Sequence, residues 1–184
     1  PSVAEMQKET NTDNVYISYS SPKTNPRAYI YNLRTKQKKF VKEQEVLDKN
    51  YSPKNYITER LECKSHDGRL IPLTITRHKE TRVDGTANVL LYAYGSYGHS
   101  LSFGFSNTRL TLLNRNIIWC DASVRGGRER GEVWHEEGKM SSKKNSFLDY
   151  ISAAKFLIDS KYSYKGGIIG YGGSAGGLLL GSVV

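Results

Sequence analysis

The chain has 184 residues, 38% of them hydrophobic and 24% charged, and its 27 Lys and Arg against 18 Asp and Glu leave a net charge of +9. That balance excludes a disordered tail and suffices for one ordinary domain, or one and a half small ones. No apolar stretch approaches the roughly 20 residues that span a bilayer, and no charged start leads into an apolar run as in a secretion signal, so the chain reads as soluble with no membrane partner.

In chain order, residues 14–20 and 27–33 alternate as half-buried strands do, with Val15, Ile17 and Tyr19 on one face. The segment Ser20-Ser21-Pro22-Lys23-Thr24-Asn25-Pro26 is expected as a loop. Arg34-Thr35-Lys36-Gln37 should turn the chain into a third strand near residues 38–42, completing a small antiparallel meander. Lys36, Lys38, Lys39 and Lys42 cluster there with Phe40 and Val41 interleaved, and a solvated strand face accounts for them better than a nucleic-acid surface. Polar residues 43–55, with Pro53, read as a boundary. A hairpin of residues 60–64 and 70–76 around His66-Asp67-Gly68 is expected next.

From residue 88 the alternation gives way to continuous apolar runs, Val89-Leu90-Leu91-Tyr92-Ala93 and Ile117-Ile118-Trp119-Cys120, as in parallel strands covered on both faces. Residues 108–114 suit a short helix. The clearest helix follows Asn145 or Ser146, with Phe147, Tyr150, Ile151, Ala154, Leu157 and Ile158 at helical spacing, and Ser146 with Asp149 resembles a capping box. Gly166-Gly167-Ile168-Ile169-Gly170 is the next strand. Strands alternating with helices make this region an α/β sheet. Cys63 and Cys120 fall in strand-like segments, which suits free buried thiols in a reducing cytoplasm.

Gly170-Tyr171-Gly172-Gly173-Ser174-Ala175-Gly176-Gly177 then sets a serine between a strand-like and a helix-like run, the signature of a nucleophile elbow. Gly172 and Gly176, two residues either side, keep backbone and Cβ atoms from colliding, and Gly173 completes the turn. Ala175 would open the helix with its N–H free to meet an oxyanion. Two rivals remain: an incidental serine in a glycine-rich turn, and a relaxed dinucleotide fingerprint in Gly170-x-Gly172-x-x-Ala175. A phosphate loop fails because no lysine follows the glycines. Tyr92-Ala93-Tyr94-Gly95-Ser96-Tyr97-Gly98 ends a buried strand where α/β sites are built; its tyrosines either pack or offer a hydroxyl to an oxyanion. Asp121, the segment Arg125-Gly126-Gly127-Arg128-Glu129-Arg130-Gly131 and Trp134-His135 suit ion-paired turns. His135-Glu136 lacks a second histidine four residues on, so neither a metal nor a cofactor is expected. No acid or histidine follows Ser174, and His66, His78, His99 and His135 all precede it. In hydrolases with this elbow the acid and base follow the serine, so the chain reads as a piece of an enzyme, inert alone.

Taken together, Tyr94-Gly95-Ser96-Tyr97-Gly98, Val124-Arg125-Gly126-Gly127, Gly131-x-x-Trp134, Gly138-Lys139 and Gly172-Gly173-Ser174-Ala175-Gly176-Gly177 resemble the prolyl oligopeptidase family of serine peptidases, in its oligopeptidase B branch. The resemblance implies a β-propeller joined to an α/β-hydrolase domain. Residues 1–48 would then be the end of the propeller and residues 49–184 the start of a truncated catalytic domain. It implies a cytoplasmic serine endopeptidase that cuts short peptides after Arg or Lys, with Ser174 as nucleophile and the Tyr94 hydroxyl and Ala175 N–H as oxyanion hole. The triad Asp and His would come from beyond this chain, and a complementary downstream chain is a candidate partner. Ser102 and Gly104 stand where the branch commonly carries acids, which weakens the expectation of basic specificity. The competing classes are a non-catalytic basic interaction or nucleic-acid-binding remnant, and an esterase of the same hydrolase fold.

Overall fold

The computed structural model describes residues 2–5 and 11–184. The chain divides into two compact units, one running to Tyr56 and taking in Phe103–Leu110, the other made of Ile57–Ser102 and Thr111–Val184.

The first unit carries a four-stranded antiparallel sheet of β1 (Ser2–Glu5), β2 (Asn14–Ser21), β3 (Thr24–Asn32) and β4 (Lys38–Glu43), paired in chain order. The strand β1 adds to the three expected. The loop expected at residues 20–26 is instead a tight hairpin, because Ser21 pairs with Thr24 across Pro22 and Lys23. Asn25 is then held in β3, its side chain donating to the Gln44 carbonyl at 2.6 Å and its N–H to the Tyr51 hydroxyl at 3.0 Å. At the other turn, Asn32 Oδ1 accepts the N–H groups of Arg34 and Thr35, which adds to the backbone bonds that Asn32 makes with Lys36 and Gln37. Lys38 sits over the Tyr29 ring, and every residue of β4 is exposed, as a solvated strand face requires.

The second unit's sheet contains β5 (Tyr56–Lys64), β6 (Leu70–His78), β7 (Val89–Tyr92), β8 (Ile118–Ala122) and β9 (Ile168–Tyr171), in the order β5-β6-β8-β7-β9. β8 runs antiparallel to β6, while β7 is parallel to both β8 and β9. Between the strands lie α1 (Asn107–Leu113), α2 (Glu132–Glu136) and α3 (Lys144–Asp159), and α4 (Ala175–Gly181) follows β9. The short helix α2 has no counterpart in the sequence reading.

The apolar runs of β7 and β8 are not buried on both faces. Val89 and Leu91 on β7 and Ile118 and Cys120 on β8 share one face by register, are wholly buried, and join Tyr150, Ala153 and Leu157 of α3 and Leu179 of α4 in one core. On the opposite face Tyr92, Trp119 and Tyr171 stack on one another with Tyr171 exposed, so burial alternates although hydrophobicity does not. Cys63 and Cys120 are free and buried in the core, and burial pushes the Cys63 thiol up to about 12.

The buried stripe of α3 is rotated from the one its apolar spacing suggests: it runs through Ser146, Asp149, Tyr150, Ala153 and Leu157. No capping box forms, since α3 starts at Lys144 and Ser146 lies inside it. Both polar residues are buried because Arg125 needs them. The Arg125 backbone N–H, Nε and Nη2 donate to the two Asp149 oxygens at 3.0, 2.9 and 2.6 Å, and Ser65 Oγ donates to Asp149 Oδ1 at 2.6 Å. Nη1 reaches Asp67 at 2.5 Å, while Ser146 Oγ donates to the Arg125 carbonyl at 2.6 Å. The arginine therefore ties α3, the segment after β8 and the β5–β6 turn together with almost every donor satisfied. Deleting one partner strands the other charge in the core, so Asp149→Ala should cost about 3–5 kcal/mol in urea unfolding, and the paired change Arg125→Met with Asp149→Leu distinctly less. A loss under about 1 kcal/mol for Asp149→Ala, the level of a surface pair, would contradict this account.

Candidate active site

Parallel pairing of Tyr92 with Tyr171 brings the carboxyl ends of β7 and β9 to one edge of the sheet. Clefts of α/β proteins form at that edge, and all the elbow residues lie there. β9 ends at Tyr171, Gly172 and Gly173 make the bend, and α4 begins at Ala175. Ser174, between them, has φ 52° and ψ −120°, a conformation L-residues avoid at a cost of about 1–3 kcal/mol. The turn permits nothing looser, because α4 must start immediately and lie back against the sheet. A Cβ on Gly172 would stand 2.6 Å from the Gly176 carbonyl oxygen, and one on Gly176 would stand 2.6 Å from the Ala93 carbonyl oxygen. Nothing lies within 4 Å of the corresponding position on Gly173.

The Gly176 contact also determines what faces what. It seats the first turn of α4 on the end of β7, with the Tyr94 Cα 3.5 Å from the position a Gly176 Cβ would take. Gly176 N–H bonds to Gly173 O, and the N–H groups of Gly177 and Leu178 bond to Ser174 O. Among the described residues the Ala175 N–H has no acceptor. The Tyr94 ring is half-buried and packs edge-on against His99 at 5.3 Å, and its hydroxyl likewise has no hydrogen-bond partner among the described residues. The Ala175 N–H is thus an unused donor next to the exposed Ser174, and Tyr94 meets the same turn of α4 through its backbone.

An open cleft of about 740 Å³ adjoins the serine, lined by Ser174, Tyr97, His135, Lys139, Lys143 and Leu178 among others. None of its lining residues is a carboxylate. His135 bonds through Nδ1 to the Gly126 carbonyl at 2.9 Å; a carbonyl only accepts, so the proton sits on Nδ1 and Nε2 is left. No hydrogen bond joins His135 to Ser174, and among the described residues Ser174 Oγ has no partner at all. The side chains of Glu132, His135 and Glu136 approach one another on α2. Each is already engaged, Glu132 with Arg128, Glu136 with Lys139 and His135 with the backbone.

Sequence reasoning passed over Lys143 and read Ser146 only as a helix cap; both contact the loop after β7. The only signal available was a serine inside an otherwise apolar helix stripe.

Residues 103–184 match the profile of the prolyl oligopeptidase family. Dipeptidyl aminopeptidase BI of Pseudoxanthomonas mexicana is 40% identical over 176 residues, 95% of this chain and 24% of the relative. Protease 2 of Moraxella lacunata is 37% identical over 177 residues, covering 96% of this chain and 26% of that protein. Among solved structures, oligopeptidase B from Leishmania major superposes with a TM-score of 0.85 at 35% identity, over 95% of this chain and 24% of the other. Prolyl oligopeptidase B from Galerina marginata, bound to a 35mer hydrolysis and macrocyclization substrate, gives 0.89 at 33% identity over 99% of this chain and 25% of that one. The chain spans about a quarter of the length of the relatives it matches.

The elbow geometry separates its glycines. Gly176→Ala should lose about 1–3 kcal/mol by overpacking, whereas Gly173→Ala should stay within about 0.5 kcal/mol. Ser174→Gly relieves more backbone strain than the glycine's added chain entropy costs, about 0.5–1 kcal/mol, and should raise the denaturation midpoint. Equal losses at Gly173 and Gly176, or a Ser174→Gly protein less stable than its parent, would show that the turn is not held as described.

Proposed function

We propose that the chain is part of a member of the prolyl oligopeptidase family, whose profile residues 103–184 match, and that the whole protein is a serine-type endopeptidase of short peptides in which Ser174 is the nucleophile. The observation that carries this reading is the Ser174 backbone, held at φ 52° between a strand and a helix whose first N–H is free. Ser174 Oγ bonds to the carbonyl carbon of the scissile peptide, and the carbonyl π pair moves onto its oxygen. The Ala175 N–H and the Tyr94 hydroxyl hold that oxyanion. The hydroxyl proton passes to a histidine, which returns it to the departing amine, and water then releases the acyl group. The histidine and its aspartate come from sequence beyond this chain, or from a complementary downstream chain. That assignment is supported by the chain's spanning about a quarter of the length of the relatives it matches.

On this reading residues 1–48 close a β-propeller and residues 49–184 open the α/β-hydrolase domain, consistent with the order β5-β6-β8-β7-β9. Cleavage after Arg or Lys follows the similarity to oligopeptidase B and protease 2. The acids that would hold such a side chain lie outside the cleft described above, which has none. The free, buried cysteines fit a cytoplasmic setting.

In the complete polypeptide, Ser174→Ala should abolish both fluorophosphonate labelling and hydrolysis of fluorogenic peptides, and Tyr94→Phe should lower kcat by about 10²–10³. The 184-residue chain alone should label at a small fraction of the complete protein's rate. Labelling that persists in Ser174→Ala would move the nucleophile elsewhere. A panel of peptides with Arg, Lys, Pro or Ala at the cleaved position, set beside an ester, reads the specificity.

A further inference from the structure

Lys143, the residue before α3, places its ammonium group partly inside the protein, with no carboxylate among the described residues to meet it. Its Nζ donates to the Gly95 carbonyl, to Ser96 Oγ at 2.8 Å and to Ser146 Oγ at 3.2 Å. It also lies 5.8 Å from the Phe147 ring centroid. Burial pushes its pKa down. A partly buried charge paired only with dipoles is costly, and here the cost is offset by what those dipoles are.

Three backbone carbonyls crowd this point. Ser146 Oγ lies 2.6 Å from the Arg125 oxygen, 3.2 Å from that of Gly138 and 3.5 Å from that of Gly95. The backbones are packed directly on one another, since a Cβ on Gly126 would fall on the Gly95 carbonyl and one on Gly138 would fall on the Gly126 amide. Converging carbonyl oxygens repel, and one serine proton satisfies only one of them. The Lys143 ammonium supplies the positive charge that lets them converge, and it does so at Gly95, the residue after Tyr94.

We infer that Lys143 is a positioning residue: with Ser146 it clamps the Gly95 carbonyl, so that the preceding Tyr94 presents its hydroxyl beside the Ala175 N–H. The inference rests on the reading of Tyr94 as an oxyanion donor. Lys143 also lines the cleft beside Ser174, so the test must separate an effect through Tyr94 from direct contact with substrate.

In the complete polypeptide, kcat and KM for a fluorogenic peptide and the melting temperature are measured for Lys143→Met, Lys143→Arg, Tyr94→Phe and the double variant Lys143→Met with Tyr94→Phe. We expect Lys143→Met to lower kcat by about 10–10² with KM unchanged, a large part of the effect of losing the donor itself. Lys143→Arg should retain most of kcat. The double variant should be no slower than Tyr94→Phe alone, because a clamp has nothing to position once the hydroxyl is gone. Losses that multiply in the double variant would overturn the inference, as would a raised KM at constant kcat, while leaving the Tyr94 reading intact. An unchanged kcat in Tyr94→Phe would overturn both. If Lys143→Met melts too low to assay, Lys143→Gln replaces it under the same criteria.

Discussion

The buried pair of Arg125 and Asp149 is the constraint on which the second unit's cleft edge depends. An arginine 1% exposed against an aspartate wholly buried is tolerable only when nearly every donor and acceptor is used. Here the carboxylate takes three bonds from Arg125 and one from Ser65. Such a pair gains little over an apolar core of the same shape, but it is directional where an apolar contact is not. It sets the rotation of α3 about its axis, and that rotation brings Ser146 and Lys143 under the loop that follows β7.

From that fixed helix the elbow follows by close packing. Tyr150 of α3 donates to the Leu91 carbonyl at 3.0 Å, and its hydroxyl and Leu180 of α4 both crowd Gly170. The helix α4 can approach the end of β7 only as far as Gly176 allows, and the strand must bend without room for a side chain at Gly172. Ser174 absorbs the remaining mismatch in its own backbone. Strain at this residue is therefore a by-product of starting a helix against the sheet at once, and its result is an exposed hydroxyl beside a helix whose first N–H is unused.

Much of this was legible in the residues. The elbow needs glycines at particular offsets, a requirement of excluded volume that any folded context must respect, and Gly172 and Gly176 meet it. Gly173 is different, since nothing in the described structure crowds it. The α/β order was legible because turn residues punctuate the apolar runs. The burial of those runs was not, because hydrophobicity does not record which sheet face a helix will cover. The hairpin at Pro22-Lys23 and the rotation of α3 were also missed, each decided by a partner far along the chain: Gln44 and Tyr51 for Asn25, Arg125 for Asp149.

The sequence by itself determined the local chemistry: a serine at a glycine-bounded strand-to-helix bend, a tyrosine closing a buried strand, and strands alternating with helices. These are properties of short stretches, set by sterics and periodicity within a few residues. Only the tertiary structure decided that the Tyr94 backbone lies against Gly176, that Asp149 and Ser146 face inward, and that Lys143 sits on the Gly95 carbonyl. Those relations join residues tens of positions apart, and they arise from charge burial and backbone packing that no window of sequence contains.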